Sequence, residues 1–190
     1  MEIILASASP RRADLLRQVA IPFSIEKPLI DENMETSNSP EELVMGLAEK
    51  KALSIYRRGI NGIILAADTV VLHQGIILGK PSDREEAKEM LQCLSGDKHE
   101  VYTGLALFDA SSEKMAKGVE KTTVWLKNIN AENLNWYLDS GEAMDKAGAY
   151  GIQGRAALFI RRIEGCYSNV VGLPLSLLFD LAEKMNISIK

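Results

Sequence analysis

The stretch Ser7-Ala8-Ser9-Pro10-Arg11-Arg12 places two hydroxyls and two guanidinium groups around what reads as the start of a helix. A helix N-terminus presents unpaired N–H groups and roughly half a positive charge, which suits an anion. Ser7 and Ser9 add hydroxyl donors, and the forked donors of Arg11 and Arg12 match phosphate oxygens. Taken alone, the segment fits a phosphate cradle and a plain helix start with two solvated arginines equally well. It has neither a Gly-x-x-x-x-Gly-Lys nor a Gly-x-Gly-x-x-Gly pattern, so it is not a Walker loop or a dinucleotide fingerprint.

Asp68 follows the apolar run from Ile63 to Ala67. A carboxylate just past a buried strand of an α/β sheet stands where ligands bind in such sheets. It could hold a divalent cation or accept a proton from water, and a turn aspartate at a strand end would look the same. Asp31-Glu32 is a second acidic pair, set in a polar loop. Lys51, Lys80 and Lys146 recur along the chain, each an ordinary surface lysine when taken singly. Lys80 is the most suggestive, because Gly79 and Pro81 restrict the backbone on either side of it. The uncharged stretch Ala149-Tyr150-Gly151-Ile152-Gln153-Gly154 allows close backbone approach to a ligand. Gln153 carries a donor and an acceptor, so it could read a base edge or bond to nearby backbone. His73 and His99 lie far apart in turn-like segments, which argues against a histidine metal site or a Ser-His-Asp triad.

The elements that must position these residues follow from local pattern. Ile3 to Ala6 reads as a buried strand, and Ser9 as the cap of a helix with Pro10 at its first position. A second helix starts at Pro40 and carries Leu43, Val44, Leu47, Ala48 and Lys51. Ile63 to Ala67 is a second buried strand, ended by Asp68. Thr69 to Leu72 and Ile76 to Leu78 flank His73-Gln74-Gly75 as a hairpin. Ser82-Asp83-Arg84-Glu85 reads as a capping box, and Ser95-Gly96 as the end of the helix it opens. Strands are expected within Val101 to Phe108, Thr122 to Leu126 and Ala157 to Ile163, and helices over Ala131 to Leu138 and Pro174 to Met185. This alternation predicts an α/β protein with a mixed sheet.

The bulk properties narrow the classes. The chain has 190 residues, 46% of them hydrophobic and 25% charged, with a formal net charge of -4. Such a chain buries about 70% of its unfolded surface and needs no disulfide or metal staple. Its acidity gives no field that would draw in nucleic acid, so any anion site must be a local cluster of cations. Cys93 and Cys166 are too far apart for a thiolate metal motif and read as packing residues. No signal peptide is evident, and no apolar run approaches the roughly 20 residues that span a bilayer. A cytoplasmic enzyme without membrane or nucleic-acid partners is therefore expected.

Read together and in order, several motifs resemble the Maf family of nucleoside triphosphate pyrophosphatases nearly end to end. They are Leu5-Ala6-Ser7-Ala8-Ser9-Pro10-Arg11-Arg12, Ala66-Ala67-Asp68-Thr69-Val70-Val71, Gly79-Lys80-Pro81, Leu94-Ser95-Gly96 and Val101-Tyr102-Thr103-Gly104. Two more are Asp145-Lys146-Ala147-Gly148 running on to Gly154, and Ser168-Asn169-Val170-Val171-Gly172-Leu173-Pro174. The resemblance implies a single Maf-like domain over residues 1–190. It also implies a long twisted mixed sheet flanked by helices, in two lobes with a central cleft, as in inosine-triphosphate pyrophosphatases. The implied reaction is hydrolysis between the α and β phosphates, giving a monophosphate and pyrophosphate. By the same resemblance Asp68 is the general base, and Glu32 with Asp68 holds Mg²⁺ or Mn²⁺. Ser7, Ser9, Arg11, Arg12, Lys51, Lys80 and Lys146 line the phosphate path, and Arg11, Thr69 and Gln153 set specificity. Asp68-Thr69 with Gln153 points to the branch acting on dTTP and UTP, whereas a branch with Asp-Gln prefers methylated GTP. Many relatives have Gly-Glu-Pro where this chain has Gly141-Glu142-Ala143, which loses a rigid turn but no functional side chain. The family also suggests a homodimer and, as a second role, a non-catalytic nucleotide-binding regulator of septum formation. The retained carboxylate and cations favour catalysis.

Overall fold

The computed structural model describes residues 3–30, 37 and 39–189. Its strands are β1 (Ile3–Ala6), β2 (Phe23–Glu26), β3 (Ile63–His73), β4 (Ile76–Leu78), β5 (Lys98–Asp109), β6 (Lys114–Leu126) and β7 (Ile160–Glu164). Its helices are α1 (Pro10–Gln18), α2 (Pro40–Tyr56), α3 (Arg84–Leu94), α4 (Ala131–Leu138), α5 (Tyr167–Val171) and α6 (Leu175–Lys184). The strands form one seven-stranded sheet in the order β2-β1-β3-β5-β6-β7, with β4 paired to β3. β1 runs parallel to both β2 and β3, while the β3/β4 and β6/β7 pairs are antiparallel. The sheet is therefore mixed, as expected.

The chain divides into two compact units. The first comprises Met1–Asp68, Thr103–Glu120 and Gly172–Lys190. All four residues of β1 are buried, because a parallel strand with neighbours on both sides needs a continuous apolar run. The core of this unit joins Ile4, Ala6, Ile64, Ala66 and Ala106 of the sheet to Ala48, Ala52 and Ile55 of α2. Alanines on both surfaces let the helix lie close to the strands. Gly104 on β5 takes that closeness to its limit: a Cβ there would come within 2.4 Å of the main-chain carbon and oxygen of Val44. A backbone obstacle cannot rotate away. Gly104→Ala is therefore expected to cost about 3 kcal/mol or more, read as a lower denaturation midpoint or loss of soluble protein.

The second unit comprises Thr69–Tyr102 and Lys121–Val171. Its core packs Leu91 and Leu94 of α3 and Leu134, Tyr137 and Leu138 of α4 with Val101, Val124, Tyr150 and Phe159. Thr122 is a polar hub within it. Its hydroxyl donates to the carbonyl of Cys166 at 3.1 Å and accepts from the Cys166 N–H at 3.0 Å. The Asn169 amide donates to the same hydroxyl at 2.9 Å and to the Val101 carbonyl at 3.1 Å. The Ser168-Asn169 motif thus serves packing, tying α5 to β5 and β6.

Several expectations need correction. β3 does not end at Asp68; it continues to His73 and takes in the stretch from Thr69 to Leu72. A charged side chain can sit in mid-strand here because an ammonium group faces it, as described below. The hairpin turn is two residues long, with Gln74 at φ 48° and Gly75 at φ 82°, the paired left-handed geometry of a type I′ turn. The capping box at α3 is shifted by one residue. Asp83 accepts from the Glu86 N–H at 2.9 Å, and Glu86 reaches back to the N–H and hydroxyl of Ser82. Glu85 instead pairs with Lys88 at 2.9 Å. The strand expected from Ala157 begins only at Ile160, since residues Arg155–Phe159 form a 3-10 turn set by Gly154 at φ 78°. β2 and α5, at four and five residues, are too short to give a distinct signal. Among the described residues no helix is long and apolar enough to cross a membrane.

Candidate functional site

The first unit gathers Ser7, Arg12, Lys51 and Asp68. The loop after β1 turns tightly, and the Ser7 hydroxyl oxygen accepts from the Ser9 N–H at 3.1 Å. Ser9 stands at the N-cap position as expected, but its side chain makes no capping bond. α2, α3 and α4 differ, being capped by the side chains of Ser39, Asp83 and Asn130. A helix N-terminus without a side-chain cap carries the partial positive charge that attracts anions.

Arg12 is a brace for this loop. Its Nε donates to the Gly172 carbonyl at 2.7 Å, and its Nη1 donates to the Ala67 carbonyl at 2.8 Å. The same nitrogen lies 3.4 Å from the Ser7 hydroxyl oxygen. Arg12 thereby joins the loop after β1, the residue before Asp68 and the segment that leads into α6. Neither carbonyl could be foreseen, because a main-chain acceptor leaves no mark in side-chain type. Arg11 is half-buried beside it, on the first turn of α1.

Lys51 and Asp68 form the most buried ionic contact of the chain's described residues. The Lys51 Nζ donates to the Asp68 Oδ1 at 2.5 Å, and the two side chains are 6% and 11% exposed. Lys51 projects from the buried side of α2, in line with Val44, Leu47, Ala48 and Ile55. A lysine and an aspartate brought that far out of water are stable only as a pair.

The second unit gathers Thr69, Lys80, Lys146 and Gln153. Thr69 is half-buried on β3, directly after Asp68. The loop holding Lys80 is tied to the loop holding Lys146, because the Gly148 N–H donates to the Gly79 carbonyl at 2.9 Å. Gly148 has φ 66°, and a Cβ there would come 3.0 Å from the Val71 side chain, so the crossing favours glycine. Lys146 donates to the carbonyl of Glu142 and, at 2.7 Å, to the carboxylate of Asp145. Its stem lies against Gly151, where a Cβ would come 2.9 Å from Cδ and Cε. Gln153 is half-buried in the same stretch. Glu32, expected as a metal ligand, lies outside the described residues together with Asp31. Among the described residues there is no group of three or more His, Cys, Asp and Glu side chains that could hold a metal by itself.

Beneath the Gln153 stretch lies a buried pair absent from the expected site residues. The His99 Nε2 and the Tyr150 hydroxyl share a hydrogen bond of 2.6 Å, with the rings edge to face at 5.2 Å. Burial drives the His99 pKa down to about 4, helped by the charge of His73 and partly offset by Asp97. Burial likewise pushes the Tyr150 hydroxyl well above its ordinary value. Between pH 6.5 and 4 the unfolded chain binds a proton at this histidine and the folded chain does not. The stabilisation is therefore complete above pH 6.5 and is lost as pH falls. Lowering pH from 7.5 to 5 should remove about 2 kcal/mol through His99 alone. Denaturant midpoints of the wild-type protein and His99→Phe at both pH values test this; the variant should show the smaller difference.

The sheet order and the flanking helices define an α/β protein of the Ham1 fold class. The chain superimposes on the Staphylococcus aureus Ham1 protein with a TM-score of 0.52 and 12% identity, over 97% of this chain and 100% of that one. Residues 2–185 match the Maf family of Maf-like proteins, and the chain belongs to that family. It is 47% identical to a protein named dTTP/UTP pyrophosphatase from Pelotomaculum thermopropionicum, over 99% of this chain and 98% of that one. It is 52% identical to a protein of the same name from Symbiobacterium thermophilum, over 92% of this chain and 89% of that one.

Proposed function

We propose that this protein is a nucleoside triphosphate pyrophosphatase acting on dTTP and UTP, cleaving between the α and β phosphates. The observation that carries this reading is the buried Lys51–Asp68 pair, in a chain 47% identical to a protein named dTTP/UTP pyrophosphatase. The family match over residues 2–185 supports treating both units as parts of one Maf-like domain.

In this reading Asp68 receives the proton of the attacking water. Lys51 holds Oδ1, which fixes the carboxylate and leaves Oδ2 as the oxygen for that proton. The N-terminus of α1, with Ser7, Ser9 and Arg11, attracts phosphate oxygens. Arg12 holds their loop against the Ala67 and Gly172 carbonyls while its charge faces the same anion. Lys80 and Lys146 contribute further positive charge to the phosphates, and Arg11, Thr69 and Gln153 select the base. A triphosphate brings roughly four negative charges, and stabilising them is most of what phosphoryl-type catalysis requires. No nucleophilic triad is needed for attack by water.

The donor chemistry fits a divalent cation that arrives with the substrate. Mg²⁺ is commonly held by one or two carboxylates plus substrate phosphates rather than by a protein cage. Asp68, with Glu32, would supply those carboxylates. When bound, Mg²⁺ or Mn²⁺ would neutralise charge on the leaving pyrophosphate and orient water. A homodimer is the expected assembly, which light scattering on the eluting protein would check.

The test is a panel of single nucleotides with Mg²⁺ or Mn²⁺, followed by product separation. dTTP and UTP should head the ranking and yield pyrophosphate with the monophosphate. Release of orthophosphate would overturn the cleavage site, and a ranking headed by methylated GTP would overturn the base assignment.

A further inference from the structure

Gln153 sits in a short segment whose two ends are held by side chains that no substrate role requires. At the near end Tyr150 is 5% exposed, and its hydroxyl meets the His99 Nε2 at 2.6 Å. At the far end the Glu142 Oε2 accepts from the Arg155 N–H at 3.1 Å. That carboxylate occupies the space a side chain at Gly154 would need, since a Cβ there would lie 2.4 Å from Oε2. Arg155 is itself held from outside: its guanidinium lies over the Trp136 ring at 5.3 Å. Between the two ends, Gly151 rests on the stem of Lys146, whose Nζ donates to the Glu142 carbonyl.

Glu142 therefore grips both partners. Its carbonyl accepts from Lys146, a cation read here as touching phosphate. Its carboxylate holds the main chain two residues past Gln153. A segment of four residues anchored at both ends has few conformations left, so Gln153 meets a base without first being ordered. Preorganisation of this kind lowers the entropy lost on binding.

We propose that Glu142 and His99, the latter through Tyr150, are positioning residues that set base selectivity by clamping the segment that carries Gln153. Neither touches the substrate. The inference rests on the proposed pyrophosphatase reading, and in particular on Gln153 reading the base.

The test compares wild type with Glu142→Ala, Glu142→Gln and Tyr150→Phe, using dTTP and CTP as substrates and thermal melting as the control for folding. Glu142→Ala and Tyr150→Phe are expected to raise KM for dTTP about tenfold, with kcat within about threefold, and to narrow the preference for dTTP over CTP by a similar factor. Glu142→Gln keeps an oxygen that can accept from the Arg155 N–H and should restore KM and selectivity. Wild-type KM and selectivity in both disruptive variants would overturn the clamp, as would a fall in kcat that tracks melting temperature while KM holds. Should Glu142→Ala fail to fold, Tyr150→Phe decides alone, because it deletes one oxygen and preserves the ring. Failure of the wild-type protein to release pyrophosphate from dTTP would overturn the pyrophosphatase reading itself, and the clamp with it. Intact wild-type turnover with unaltered variants would remove only the clamp.

Discussion

Replacing Asp68 by asparagine is expected to lower kcat for dTTP by about a thousandfold, within the range that positioned proton acceptors contribute. The substitution keeps the shape of the side chain and an oxygen that can still accept from Lys51. What it removes is the charge that, in the proposed mechanism, takes the proton and attracts a cation. KM should change much less than kcat, because in the proposed mechanism the phosphate contacts come from the α1 loop and the lysines. Some stability is lost too, on the order of 1–2 kcal/mol, since a neutral amide is a weaker partner for a buried ammonium. Steady-state pyrophosphate release, with circular dichroism as a check on folding, measures both effects. Turnover within about tenfold of wild type would remove Asp68 from the chemistry.

Lys51→Met should have the largest effect on stability of any single side-chain change at the site. Methionine fills most of the lysine's volume but leaves the Asp68 carboxylate, only 11% exposed, without its partner. Breaking a buried pair from one side costs about 3–5 kcal/mol. For a chain of this size that lowers the melting temperature by on the order of 10 °C. Adding Asp68→Leu to Lys51→Met should recover most of this loss, because a well-packed apolar pair is about as stable as a buried ionic one. The double variant should fold and remain inactive. If it melted no higher than Lys51→Met, the cost would lie in packing around α2 rather than in the stranded charge.

Most of the candidate residues could be read from residue order. The serines and arginines of the first loop, Asp68, Lys80, Lys146 and Gln153 were all visible as candidates, since their types suit phosphate, water or a base edge. Arg12 shows where such reading stops. Its guanidinium type announced an anion, yet two of its nitrogens hold the carbonyls of Ala67 and Gly172, 55 and 160 residues away. Glu142 is a second case. It looked like an incidental residue of a loop that had lost its proline, and it proves to join Lys146 to the chain after Gln153. His99 and Tyr150 gave no sign of each other across 51 residues.

The amino-acid sequence by itself determined the local structure: the buried strand from Ile3, Pro10 at the first position of α1, the helix begun at Pro40, a hairpin in the region of His73-Gln74-Gly75 and the span of α4. Each depends on φ preference, capping or apolar period among near neighbours, so each is encoded within a few residues. The family motifs, being strings in order, were equally legible. Only the tertiary structure decided that Asp68 stands within a continuous strand rather than at its end, and that Lys51 faces it at 2.5 Å. Those facts depend on which face of α2 meets β3, a matter of sheet order and helix rotation. A lone lysine on a helix carries no record of either. The first loop was similarly incomplete as a sequence: its donors were named by their residues, but its shape comes from Arg12 and carbonyls far along the chain.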